Sequence, residues 1–200
     1  MATFMVMREA HVMTDLVKLH GVAADAFDRH VDAIGTRQWD GPTPCTDWDV
    51  RTLVNHLVYE ARWAPDLFHG KTVEEVGDRY EGDLLGDDPV AAWKSGNAQA
   101  RAAISEAGAL DRIVHLSFGD VPGSEYLSQL ITDLAIHGWD LARAIGADET
   151  IDPGLVEWLL PYVKEHADEI AGSGMFGKQI DVGAGADDQT QLLALLGRKA

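Results

Sequence analysis

The chain has 200 residues, 46% of them hydrophobic and 24% charged, which suits one domain with ample apolar content for a core. Its formal net charge of −17 argues against nucleic acid or an anionic membrane as partner, because phosphate binding needs basic patches. No apolar run reaches the ~18 residues of a membrane-spanning helix, charges interrupt the N-terminal apolar patch too early for a secretory leader, and a single cysteine, Cys45, forms no internal disulfide and fits a reducing cytoplasm.

The periodicity is helical almost throughout. Leu16, Leu19, Val22, Ala23, Phe27 and Val31 recur at three- and four-residue steps and predict a helix over about 14–34, with Thr14 as N-cap and Gly35 as stop. Residues 38–46, QWDGPTPCT, read as a loop because Gly41, Pro42 and Pro44 prevent regular structure. Thr46 can cap the Asp49 amide of a second helix. That helix runs to about His69, burying Val50, Leu53, Val54, Leu57 and Ala61, and Pro65 bends it or ends it. Residues 71–87 are charged and glycine-containing, and read as a surface connection.

Pro89 opens a third helix over about 88–107, whose mostly alanine face allows close packing. Residues 111–118, DRIVHLSF, alternate as a short strand or extended link, and the turn GDVPGS leads into a helix over about 123–145 closed by Gly146. A fifth helix covers about 153–171. From Gly172 glycines become frequent, and QTQLLALLG is a last short helix. Four main helices with one long connection predict an all-α four-helix bundle. The expected organisation is a single domain over 1–200, with the bundle at about 14–171 and a C-terminal tail, 172–200, packed on it.

The chemistry concentrates on the 123–145 helix. At 100° per residue Leu127, Leu130, Leu134 and Leu141 form one stripe, and Asp133 and His137 fall inside or beside it, one turn apart. A carboxylate and an imidazole facing a core are costly unless paired or bound to a metal. The spacing therefore allows a buried hydrogen-bonded pair or two ligands of a metal site that takes a third from another helix. Of the core-facing histidines His20, His30, His56 and His137, His56 is the best third candidate, at the flank of the second helix's buried stripe and one turn before Glu60. Two imidazoles and one carboxylate suit Zn²⁺ first, and also Ni²⁺, Fe²⁺ or Mn²⁺, and leave a coordination position open for water or substrate. Asp140 lies on nearly the same face and can orient an imidazole N–H or pair with Arg143.

Other residues carry weaker signals. Cys45, just before the second helix, reads as a small buried hydrophobe rather than a nucleophile. Trp48 and Trp63 flank His56 and either line a pocket or pack the core, while Trp139 projects from another face. There is no phosphate-binding glycine loop and no nucleophile elbow, and His115 and Ser117 have no evident acid partner, which argues against a serine hydrolase.

The stretches TPCTDWDVRTLVNHLV (43–58) and YLSQLITDLAIHGWDLARAIG (126–146) resemble the mycothiol-dependent maleylpyruvate isomerase family, within the DinB/YfiT-like metal-binding superfamily. The closing MFGKQIDV…QLLALLGR (175–198) is similar to the tail of an actinobacterial branch of it. The resemblance implies a DinB-like bundle with one divalent metal held by His56, Asp133 and His137. The family often has glutamate where this chain has Asp133, whose side chain reaches about 1.5 Å less. The resemblance further implies a small thiol such as mycothiol as co-substrate, and transfer of that thiol to a small electrophile. Isomerase members carry a further C-terminal substrate-handling domain for which this chain is short, so an S-transferase is the expectation ahead of an isomerase. A non-catalytic metal-binding or stress-response bundle is the alternative. Homodimers are common in the superfamily, and no stripe here marks a dimer face.

Overall fold

The structure, a computed structural model, describes residues 2–174, 176–183 and 185–200, with the backbone alone at 2–15 and 173. It divides into two compact units, Met1–Asp148 and Glu149–Ala200.

The first unit contains the bundle. Its helices are α1 (Ala2–Ala33), α2 (Val50–Phe68), the single turn α3 (Val73–Val76), α4 (Pro89–Ile104) and α5 (Gly123–Ile145). α1 packs on α5 and α4, and α2 packs on α4 and α5, so four long helices close around one core. Phe27, Leu53, Leu57, Trp93, Leu127 and Ile131 fill it. The Phe27 and Trp93 rings meet edge-on at 4.7 Å, and the Trp93 indole donates to Asp28 at 3.1 Å. The alanine-rich face of α4 does bring helices close: a Cβ at Gly96 would sit 3.4 Å from that of Ala61.

Several boundaries differ from expectation. α1 begins at Ala2, so Thr14 lies inside the helix and not at its start. The cap of α2 is Asp49, which accepts from the Thr52 amide at 2.7 Å, and not Thr46. Asp47 has φ of +73°, which bars a helix from starting before it. Pro65 sits within α2, three residues before its end. The 111–118 stretch contains strand β1 (Ile113–Leu116), and the residues read as a turn form its partner β2 (Gly119–Pro122), an antiparallel hairpin pairing Val114 with Val121. The hairpin packs against α2 and α5. α5 has the expected limits, closed by Gly146 at φ +73°. Its first residue must be glycine, because a Cβ at Gly123 would run into the Ala109 carbonyl oxygen. That close approach fixes where α5 enters the bundle.

In the second unit α6 (Pro153–Glu165) packs on α8 (Asp188–Leu195), and the expected fifth helix breaks at His166 into α6 and α7 (Ala167–Ser173). There the His166 ring shares the Tyr162 carbonyl, at 2.9 Å, with its own amide, at 3.1 Å. Among the described residues no helix is long and apolar enough to cross a membrane.

His20 of α1 is 4% exposed, and burial, then the charge of Arg101, push its pKa down to about 4 against the pull of Asp25. The folded protein thus holds a neutral imidazole that the unfolded chain protonates near pH 6.5. Its contribution is complete above that pH and is lost as pH falls toward 4. Between pH 8 and pH 5 this costs about 2 kcal/mol. Urea unfolding of His20→Leu should show an acid-side loss smaller by that amount; an unchanged pH slope would assign the acid sensitivity elsewhere.

Candidate metal centre

α2 and α5 face each other and present His56 from one side and Asp133 and His137 from the other. The His56 Nε2 lies 2.9 Å from one Asp133 carboxylate oxygen, and the His137 Nε2 lies 3.3 Å from the other. The three donor atoms fall within 4.8 Å of one another, close enough for one ion to meet all three. The His137 side chain is 7% exposed, whereas those of His56 and Asp133 are 26% and 22% exposed, so the cluster opens to solvent on that side. His56 therefore turns toward Asp133 rather than away from it.

Electrostatics knit the set together. Burial favours a neutral Asp133, but His137 and His56 overcome it and hold its pKa below the usual carboxylate range. Burial likewise opposes a charged His137, yet Asp133, Asp140 and Cys45 together hold its pKa well above the ordinary value. His56 is raised as well, with Asp133 outweighing burial.

Asp140 is fully buried and bonds to His137 Nδ1 at 3.0 Å, the orienting role open to it from sequence; Arg143 places its guanidinium 4.9 Å over the Trp139 ring. This bond directs Nε2, the other ring nitrogen, at Asp133.

The 41–49 loop contributes two groups that sequence reading undervalued. The Cys45 thiol donates to Asp140 at 3.1 Å and lies 3.6 Å from His137 Nδ1, so it is part of the cluster's support and no inert filler. Trp48 stacks on His137 with ring centres 5.5 Å apart and stands 4.9 Å from His56, roofing both imidazoles. A turn holds both residues in place: the Trp48 amide bonds to the Cys45 carbonyl at 3.0 Å, and the Thr43 hydroxyl donates to the Trp48 carbonyl at 2.9 Å. Cys45, His137 and Asp140 also converge within 4.8 Å, but through His137 Nδ1, which faces away from the first set. Trp63 is packing, beside Tyr59 and Tyr80. His115 does have an acid partner, Asp120, at 2.7 Å across the hairpin; the pair is exposed.

The donor chemistry fits a divalent cation. A carboxylate lies between two imidazoles, one imidazole is fixed by a buried acid through its far nitrogen, and one side stays open.

The profile of the family described as Mycothiol maleylpyruvate isomerase N-terminal domain matches residues 20–142, a span that includes the whole cluster. Uncharacterized protein Rv0738 and Uncharacterized protein MT0763, both of Mycobacterium tuberculosis, are each 30% identical over 145 residues, covering 70% of this chain and 73% of theirs. Two crystal structures of the mycothiol-dependent maleylpyruvate isomerase superpose with TM-scores of 0.61 and 0.62 at 18% identity. They cover 80% and 79% of this chain and 69% and 72% of their own, and at that identity they establish the fold. The chain belongs to the mycothiol maleylpyruvate isomerase N-terminal domain family.

Proposed function

We propose that the chain binds one divalent cation, Zn²⁺ first among candidates, through His56, Asp133 and His137, and acts as a thiol S-transferase on a small electrophile. The observation that carries this reading is the convergence of the three donors within 4.8 Å beside an opening to solvent. When bound, the cation supplies the positive charge that lowers the pKa of a thiol at its open position. The chain's own residues do the rest. Asp140 keeps His137 in the tautomer whose Nε2 lone pair faces the site. Trp48 covers the imidazoles and limits the approach to one side. His56 and Asp133, the exposed members, border the opening through which thiol and electrophile enter. A mycothiol-type thiol is the co-substrate this reading takes, by likeness to the mycothiol-dependent isomerase.

The test is elemental mass spectrometry on untagged protein, followed by calorimetric titration of the Zn²⁺-loaded protein with mycothiol. We expect about one metal per chain and thiol binding that disappears on chelation. Metal without thiol binding would leave the non-catalytic metal-binding reading; no metal after incubation with Zn²⁺, Ni²⁺ and Mn²⁺ would withdraw both.

A further inference from the structure

Behind the three-residue cluster, inside the bundle, lies a small cavity bordered by His20, Glu60, Asn97 and Asp133 among apolar side chains. Glu60 stands one helical turn after His56 on α2, the same spacing that separates Asp133 from His137 on α5. Two facing helices thus each carry an acid–imidazole pair at i,i+4, in opposite order, with Glu60 beside, and not within, the three donors that converge within 4.8 Å.

Glu60 is half-buried, and it makes no hydrogen bond or ion pair with any described residue. Its electrostatic neighbours are Asp133, which repels it, and His56 and His137, which attract it. Burial and then Asp133 push its pKa up to about 7. On α5 the Tyr126 hydroxyl, fully enclosed, feels the charges of both Glu60 and Asp133 and has no hydrogen-bond partner among the described residues. A carboxylate set into a bundle beside another carboxylate, with no donor and no cationic side chain bonded to it, is costly. Glutamine would fill the same volume without the charge.

We propose that Glu60 supports the metal centre as a second negative charge beside its three donors, and that a bound divalent cation is the partner the protein does not otherwise give it. The inference rests on the metal reading above but is separable from it. His56, Asp133 and His137 set the position of the cation from α2 and α5. Glu60 adds negative charge from the cavity that it borders with Asp133, and so raises affinity without displacing any of the three donors.

The experiment compares wild type with Glu60→Gln, a change that keeps volume and removes charge. Zn²⁺ affinity is measured by competition with a chromogenic chelator at pH 8, and the melting temperature of each metal-free protein is read at the same pH. The expected result is a 10–100-fold weaker Zn²⁺ affinity together with an equal or higher metal-free melting temperature, because the unpaired charge is gone. Unchanged Zn²⁺ affinity in the variant, with wild type binding normally, would overturn the role of Glu60 and leave the three-residue site standing. A lower metal-free melting temperature accompanying weaker binding would make Glu60 a packing residue and equally overturn it. Failure of wild type to bind Zn²⁺ would overturn the metal reading and this inference together.

Discussion

His137→Ala should abolish binding of a divalent cation at micromolar concentrations while the helical bundle stays folded. Structural Zn²⁺ sites with four ligands are worth about 10–16 kcal/mol, or roughly 3–4 kcal/mol per ligand, so removing one of three weakens binding by about a hundred- to a thousandfold. Breaking the buried His137–Asp140 pair from this side costs stability, as it does from the other, but each acid keeps one polar partner. Asp133 keeps the His56 ring at 2.9 Å, and Asp140 keeps the Cys45 thiol at 3.1 Å. The contact with His56 thus keeps Asp133 paired once His137 is gone. Circular dichroism should therefore remain helical while elemental analysis finds no metal. Full metal stoichiometry in His137→Ala would sink the assignment of the site. The same argument gives a pH signature. Asp133 and Asp140 raise the affinity of His137 for its proton in the metal-free protein, so a cation must compete with that proton. Affinity should rise with pH through the neutral range, and wild-type titrations in buffers of different ionisation enthalpy should report that proton release.

The site was more legible in the sequence than the segments around it, for a physical reason. α5 announces itself through an unbroken apolar stripe and a glycine in the left-handed region at Gly146, and a polar pair placed on such a stripe stands out. His56 was less distinct by spacing alone, since a histidine at the flank of a buried stripe is ordinary, and the resemblance of the 43–58 stretch singled it out. Glu60, on the same helix, gave no comparable signal, since glutamate is ordinary on a helix and only the cavity reveals that it faces inward. Cys45 and Trp48 were harder still. Gly41, Pro42 and Pro44 identify a loop, but its path back over His137 depends on the turn at Asp47 and on tertiary contacts that no local pattern encodes. Boundaries failed where two local signals competed. Thr46 and Asp49 both satisfy capping chemistry, and the left-handed Asp47 between them decides for Asp49. At residues 119–122 the glycine and proline that suggest a turn instead end a short hairpin strand.

The contrast between Asp140→Asn and Asp140→Ala tests whether the buried acid orients His137 or merely fills space. Asp140 can only accept, so the His137 nitrogen bonded to it must carry the proton, and Nε2 is left free to bind a cation. Asparagine keeps the shape but can turn its amide donor toward Nδ1. That turn moves the imidazole proton to Nε2, the wrong nitrogen for ligation. Asp140→Asn should therefore weaken metal affinity by about 10–100-fold with little change in melting temperature. Alanine removes the acceptor altogether and leaves the buried His137 N–H, and the half-buried Cys45 thiol, without it. Breaking a buried charged pair from one side costs about 3–5 kcal/mol, so Asp140→Ala should lose both stability and metal. Chelator competition and urea unfolding on the two variants separate these effects. Wild-type metal affinity in Asp140→Asn would show that the proton on His137 is not set by Asp140, and a stable Asp140→Ala would show that the Cys45–Asp140–His137 chain carries no weight in the fold.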